Sequence, residues 1–300
     1  MMFDGISLAR QLGHNVAILS PRVDVVIEIS HRIKEAFKDE QIDILHQKQS
    51  QKYNGHFDIA TVHQLYRFKQ HFDTVFIDEV EAFPLSMDPN LSLAIQTASK
   101  AIHSHIYMTA TPPRQLIKQM SSHKVIKLPA RFHRQPLPVP HFKHFKLNTS
   151  RVQSQLIHLF QAQIKQQRYT LVFFNHIETM KDAYHKYRAH IPNLICGYSE
   201  DVYRFDKVEA LRRGEHSIVF TTTILERGFT MARLDVIVIN AETFSKAALI
   251  QIAGRVGRKM EEPKGLVLFL HEGVSLSMIK AKKDITEMNR LGYERGWLDA

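Results

Sequence analysis

Apolar residues fall along the chain in two alternating patterns. Short unbroken runs such as Val75-Phe76-Ile77 suit strands covered on both faces. Stretches with apolar residues at helical spacing suit helices packed on such a sheet. In the first half the pattern predicts a helix over 1–12 closed by Gly13, a strand over 14–19 ending at Ser20-Pro21, and a helix over 23–37. Strands follow over 58–62, 74–77 and 105–108. Residues 128–144 hold four prolines, which suits neither a helix nor a central strand; this stretch reads as a linker or an extended edge segment. The alternation then restarts, with helix 151–167, strand 169–174, helix 178–190, strand 193–196 and helix 201–213. Strands 217–222 and 234–240, helix 245–253, strand 265–270 and a helical tail from 274 complete it. Alternation of this kind predicts α/β layers with parallel sheets. The domains expected are 1–128, a proline-rich linker over 129–148, 149–273, and a helical tail over 274–300.

Composition narrows the class. Three hundred residues, 44% hydrophobic and 23% charged, suit two ordinary soluble domains or one large one. No apolar run approaches the ~18–20 residues of a membrane span, and the N-terminus has no signal-peptide pattern. The single cysteine, Cys196, excludes an internal disulfide framework and a Cys-rich zinc site, so no zinc is expected. His103 with His105, and His141 with His144, lack the carboxylate or cysteine that would complete a metal site. Forty Lys+Arg against 30 Asp+Glu give net +10. That balance fits a polyanion partner such as nucleic acid, or a basic but ordinary enzyme; dispersed basic residues leave both open.

The string Gln251-Ile-Ala-Gly-Arg-Val-Gly-Arg258 sharpens the picture. Glycine lets backbone approach a ligand, and Arg255 and Arg258 offer planar forks to phosphate oxygens. Asp78-Glu79-Val80-Glu81 follows the strand at 74–77, and carboxylates at the end of a parallel strand lie where α/β sheets bind ligands. Ser20-Pro21-Arg22, Thr61-Val62-His63-Gln64, Thr109-Ala110-Thr111-Pro112, Asn175 and Thr221-Thr222 also close predicted strands. Each of these alone is ordinary turn chemistry.

Together and in order they resemble the motifs of superfamily 2 helicases. In that family the arginines of Gln-x-x-Gly-Arg-x-Gly-Arg reach the γ-phosphate of ATP from a second RecA-like domain. The resemblance implies catalytic roles for Asp78, Glu79, Arg255 and Arg258, with Asp78 holding Mg²⁺ through water and Glu79 orienting the attacking water. It implies nucleotide contacts at Thr109, Thr111, Arg227, Gly228 and Gln251. It implies nucleic-acid contacts at Ser20, Pro21, Arg22, Thr61, His63, Gln64, Asn175, Thr221 and Thr222. Many relatives have Asp where this chain has Thr230.

Ser-Pro-Arg-Val-Asp at 20–24, Asp-Glu-Val-Glu-Ala-Phe-Pro at 78–84, Met-Thr-Ala-Thr-Pro at 108–112 and Ile-Leu-Glu-Arg-Gly at 224–228 are similar to the ComFA competence ATPases. What that resemblance implies is two RecA-like domains, ATP and Mg²⁺ in the complete protein, single-stranded DNA as partner, and other competence proteins at a DNA-uptake channel. A cytoplasmic place at the inner face of the membrane is expected with it. One part is missing. No glycine is followed by lysine anywhere in the chain, so no Walker A loop, Gly-x-x-x-x-Gly-Lys-[Ser/Thr], occurs. The expectation is a ComFA shortened at its N-terminus, its first sheet without the first strand and phosphate cradle, and without ATPase activity. Two other readings stay open. One is a PriA- or RecG-like helicase fragment, although PriA places zinc cysteines between its motifs and here only Cys196 lies there. The other is a non-catalytic DNA- or partner-binding module.

Overall fold

The computed structural model describes residues 2–46, 55–119, 125–198, 201, 203–222 and 231–299. It comprises two compact units, Met1–His123 and Lys124–Ala300. The first runs α1 (Phe3–Gln11), β1 (Val16–Ser20), α2 (Val23–Ala36), β2 (Asp43–Leu45), β3 (Phe57–Thr61), β4 (Phe72–Ile77), α3 (Pro89–Ala98), β5 (Ser99–Tyr107) and α4 (Arg114–Gln119). Its strands form one parallel sheet in the order β2-β3-β1-β4-β5. Successive side chains on a strand point to opposite faces, and the core follows that alternation. Ala17, Leu19, Ala60, Val75 and Ile77 pack with Leu91 and Ile95 of α3 on one face. Val16, Ile18, Ile59 and Phe76 pack with Ile6 of α1 and Val26 and Ile33 of α2 on the other.

Helix α4 and three other elements here go beyond the sequence pattern. Strand β2 has only three residues and begins on Asp43, too short and too polar for a periodicity signal. Helix α3 starts with Asp88 accepting a bond from Asn90 N–H and with Pro89 in its first turn, a start signal that apolar periodicity does not register. Strand β5 extends the predicted 105–108 back to Ser99, which pairs with Phe72; the register then shifts through exposed residues, and Lys100 bonds Asp73 of β4 at 2.8 Å.

The second unit runs β6 (His141–His144), α5 (Ser154–Lys165), β7 (Tyr169–Phe173), α6 (Ile177–Tyr187), β8 (Ile195–Gly197), α7 (Arg204–Arg212), β9 (Ile218–Thr221), β10 (Leu234–Val238), α8 (Lys246–Ala253), β11 (Val267–His271) and α9 (Leu276–Glu294). Its parallel sheet has the order β6-β11-β10-β7-β9-β8. Leu171, Phe173, Val219, Val236, Val238 and Phe269 face α8 and α9. Val172, Phe220, Ile237 and Leu268 face α5 and α6 through Phe160, Met180 and Tyr187.

The proline-rich stretch belongs to this second unit. Its end is edge strand β6, where prolines just upstream take nothing from the ladder. Residues 127–137 form a strap on α9 and the tail beyond it. Asn289 accepts from Leu137 N–H and donates to Leu137 O, both at 2.8 Å. Arg134 pairs with Asp299 at 2.8 Å and donates to Gly296 O, and Arg295 donates to Lys127 O.

Candidate functional site

Because every pairing in the first sheet is parallel, all its strand ends lie on one rim. Along that rim the sheet order places 61–64 after β3, then 20–22 after β1, Asp78-Glu79 after β4 and 109–111 after β5. Backbone bonds tie neighbouring ends: Asp78 N–H donates to Leu19 O and Met108 N–H to Ile77 O, each at 2.8 Å. Sequence segments spread over about 90 positions thus share one edge, the place where open α/β sheets bind ligands.

Each side chain has its own setting. Asp78 Oδ1 accepts the N–H of Glu79 at 2.9 Å, and Glu79 sits in the left-handed region at φ 51°. A non-glycine residue there is uncommon, and the turn presents two adjacent half-buried carboxylates at the strand end. Thr111 N–H bonds Thr109 Oγ1 at 2.9 Å; the Thr111 hydroxyl is buried and has no partner among the described residues. Ser20, Pro21, Thr61 and Gln64 are buried, whereas His63 is exposed. Arg22 forms a fork to Asp24 at 3.0 and 3.1 Å. That pair is half-exposed, so it is weak and can open to another anion.

In the second unit the residues singled out from sequence fall in two places. Asn175 is exposed at the end of β7. It lines a cavity of about 340 Å³ with Thr149, His176, Asn240 and Thr243. Asn175 donates to Thr243 O at 3.3 Å, and Thr243 Oγ1 to Asn240 O at 2.7 Å. Asn240 takes φ 51°, a conformation asparagine tolerates. The sequence reading missed Asn240 and Thr243, although an Asn at a strand end was the available signal. Thr221 ends β9 on the same rim, but it is fully buried and its hydroxyl donates to Gly197 O at 2.9 Å. Thr222 is buried beside it. Arg227, Gly228 and Thr230 lie outside the described residues.

Gln251, Arg255 and Arg258 sit at the opposite, amino-terminal edge of that sheet. Helix α8 runs back from the end of β10, and Val256 lies against Gly265 and Asp235, near the starts of β11 and β10. Arg255 is only 3% exposed, and Gln251 and Arg258 are half-buried. Arg258 Nε donates to Gly254 O at 2.8 Å. Gly257 has φ 66°, and a Cβ there would stand 2.0 Å from Pro263 O. Gly257→Ala should therefore destabilise the second unit by about 2–4 kcal/mol, read as a lowered melting temperature. An unchanged melt would mean that the turn can yield to a methyl group.

The fit to a nucleotide is partial. Two carboxylates at a strand end suit a hydrated Mg²⁺, which takes oxygen ligands and keeps waters. Arginines beside glycines suit phosphate oxygens. No group of three or more metal-binding side chains occurs among the described residues, and no residue of the chain matches a phosphate loop. Among the described residues, no helix is long and apolar enough to cross a membrane.

Known proteins share this chain's sequence and fold. Residues 151–260 match the family described as helicase conserved C-terminal domain. The competence protein ComFA of Bacillus subtilis (strain 168) is 36% identical over 301 residues, covering 97% of this chain and 65% of its own length. ComFA of Streptococcus pneumoniae R6 is 35% identical over 302 residues, covering 97% of this chain and 69% of its own length. The chain thus spans about two thirds of the length of these relatives. Among solved structures, S. cerevisiae Dbp5 bound to RNA and ADP BeF3 matches with a TM-score of 0.66 at 14% identity, over 96% of this chain and 80% of that one. A Dbp5 variant with the same ligands gives 0.67 at 13% identity, with the same coverage. At such identity the likeness is one of fold.

Proposed function

The chain belongs to the ComFA family, and from that premise we propose that it is a helicase-like competence protein that holds single-stranded DNA along the strand ends of its two sheets. The observation that carries this reading is the shared rim of the first unit, with four motif segments on one parallel edge. His63 and an opened Arg22 meet backbone phosphates there. In the second unit Asn175, Asn240 and Thr243 offer amide and hydroxyl groups, which suit sugar–phosphate contacts rather than base reading. Buried Ser20, Gln64, Thr61 and Thr221 shape these turns from beneath.

Bound ATP with Mg²⁺ would supply a phosphoryl group ready for transfer to water. Asp78 would hold the ion through water, Glu79 would orient the attacking water, and Thr109, Thr111 and Gln251 would border the nucleotide. Arg255 and Arg258, with Arg227, would neutralise phosphate charge, and Gly228 would let the backbone approach the nucleotide. With no phosphate loop in its 300 residues, the chain by itself binds DNA without turning over ATP. Its place is the cytoplasm, at the inner face of the membrane, beside other competence proteins of the uptake channel.

DNA binding should be weak, tolerant of sequence and steeply salt-dependent. The net charge of +10 supports it, and each neutralised phosphate on a single strand contributes about −0.7 to the log–log slope. Filter binding across a salt series measures this. A flat series, or strong preference for one sequence, would count against the reading.

The burial of Arg255, only 3% exposed, favours a second reading, a non-catalytic module that binds DNA or a partner. Under it the arginine turn would be indifferent to phosphate.

A further inference from the structure

The arginine string stands on a turn whose carbonyls need donors. Helix α8 ends at Ala253, and the last carbonyls of a helix have no partner within it. The strap supplies them. Arg131 Nη1 donates to Val256 O and Gly257 O, both at 2.6 Å, and its Nη2 donates to Gly254 O at 2.9 Å. His133 Nε2–H donates to Gly257 O at 2.9 Å, while its Nδ1 accepts from Gln135 N–H at 3.2 Å. Gly254 O is gripped twice, by Arg131 and by Arg258 Nε at 2.8 Å. On its far side the turn meets Pro263, in a loop held by Arg168, which bonds Glu262 Oε1 at 3.1 Å and Lys264 O at 3.2 Å.

Arg131 stands among carbonyl dipoles, and its largest neighbouring charge has the same sign. Burial, and then the charge of Arg258, bring its pKa down to about 10. A cation placed against another cation gains nothing from charge pairing. Its contribution is geometric: one planar fork holds three carbonyls from two nitrogens in a fixed relation.

We propose that Arg131 is a positioning residue: its fork fixes the 254–258 turn and thereby sets the direction in which Arg258 faces phosphate. This rests on the reading of Arg258 given under Proposed function. His133 supports the same carbonyl from the same strap.

The test uses the full chain with isotope-labelled arginine and follows the Nε–H signal of Arg258, identified by its loss in Arg258→Ala. In the unsubstituted chain that proton should exchange slowly and shift when inorganic tripolyphosphate is added. Arg131→Lys, near arginine in length, and the shorter, neutral Arg131→Gln should each speed its exchange about tenfold or more and abolish the tripolyphosphate shift. Backbone amides of β7 and β10 should keep their protection, which separates a local loss of aim from a loss of fold. Lysine keeps the charge and lacks the fork, so rescue by lysine overturns the proposal, as does an unchanged Arg258 signal in both variants. A chain in which exchange depends on Arg131 but tripolyphosphate shifts nothing, even without substitution, overturns instead the phosphate reading of Arg258.

Discussion

Fused in frame behind a phosphate-binding strand and loop, a segment of about 100–150 residues on usual domain sizes, the chain should turn over ATP in response to single-stranded DNA. The unfused chain should stay at background. In the fused protein Arg258→Ala should lower turnover about 10³–10⁵-fold, the range for arginines that act on transferring phosphoryl groups. Nucleotide binding should hardly change, because such an arginine acts mainly on the transition state. Arg258→Lys should not rescue, since an ammonium lacks the planar fork. Steady-state phosphate release and equilibrium binding of nucleotide separate the two effects. Normal turnover with both Arg255 and Arg258 replaced by alanine would refute the phosphate role of the string. DNA-stimulated hydrolysis by the unfused chain, abolished by Glu79→Gln, would refute the need for a loop.

Asp58→Asn should stabilise the first unit above neutral pH. Asp58 is fully buried in β3, in register with buried Asp43 on β2. Neither Asp58 oxygen has a hydrogen-bond partner among the described residues. Burial, and then the charge of Asp43, raise its pKa from 3.8 to about 7. The folded chain therefore holds a proton that the unfolded chain releases. Stability is complete below the ordinary carboxylate range, falls as pH rises from about 4 through about 7, and then levels off. A rise of that size is worth at most about 4 kcal/mol, and a loss of about 2–4 kcal/mol is expected by pH 8. Asparagine mimics the protonated acid, so the variant should match the parent near pH 4 and exceed it at pH 8. Urea melts at both values provide the check; a stability difference independent of pH would remove Asp58 from the account.

Much of the fold was legible because parallel strands covered on both faces are written as unbroken apolar runs. Val16–Leu19, Val75–Ile77 and Val236–Val238 could hardly be anything else. Strand β2 and the exposed part of β5 were not legible, since neither carries an unbroken apolar run. The candidate site was legible as a set of types at strand ends, but its geometry was not. Nothing in the spacing of Thr221 says that its hydroxyl turns inward to Gly197. Nor does spacing place Arg255 and Arg258 at the opposite edge from Asn175. Arg131 was hidden for another reason. It lies in a proline-rich stretch that periodicity treats as connection, and its partners are carbonyls about 125 positions away that carry no side-chain signature.

The strap gives the second unit an order of assembly. It is bound both by the 254–258 turn and by residues 289–299, the latter across 152 to 168 positions of chain. A ribosome delivers the strap first, the turn much later, and the residues that lock the strap last. The groups around Asn175 and Thr243 are complete once β10 and its following turn have emerged, well before α9. The strap can back the arginine turn once 254–258 has emerged, and it is itself tied down when Asn289, Arg295 and Asp299 follow. A nascent chain would thus present its polar strand ends before its arginine turn is set.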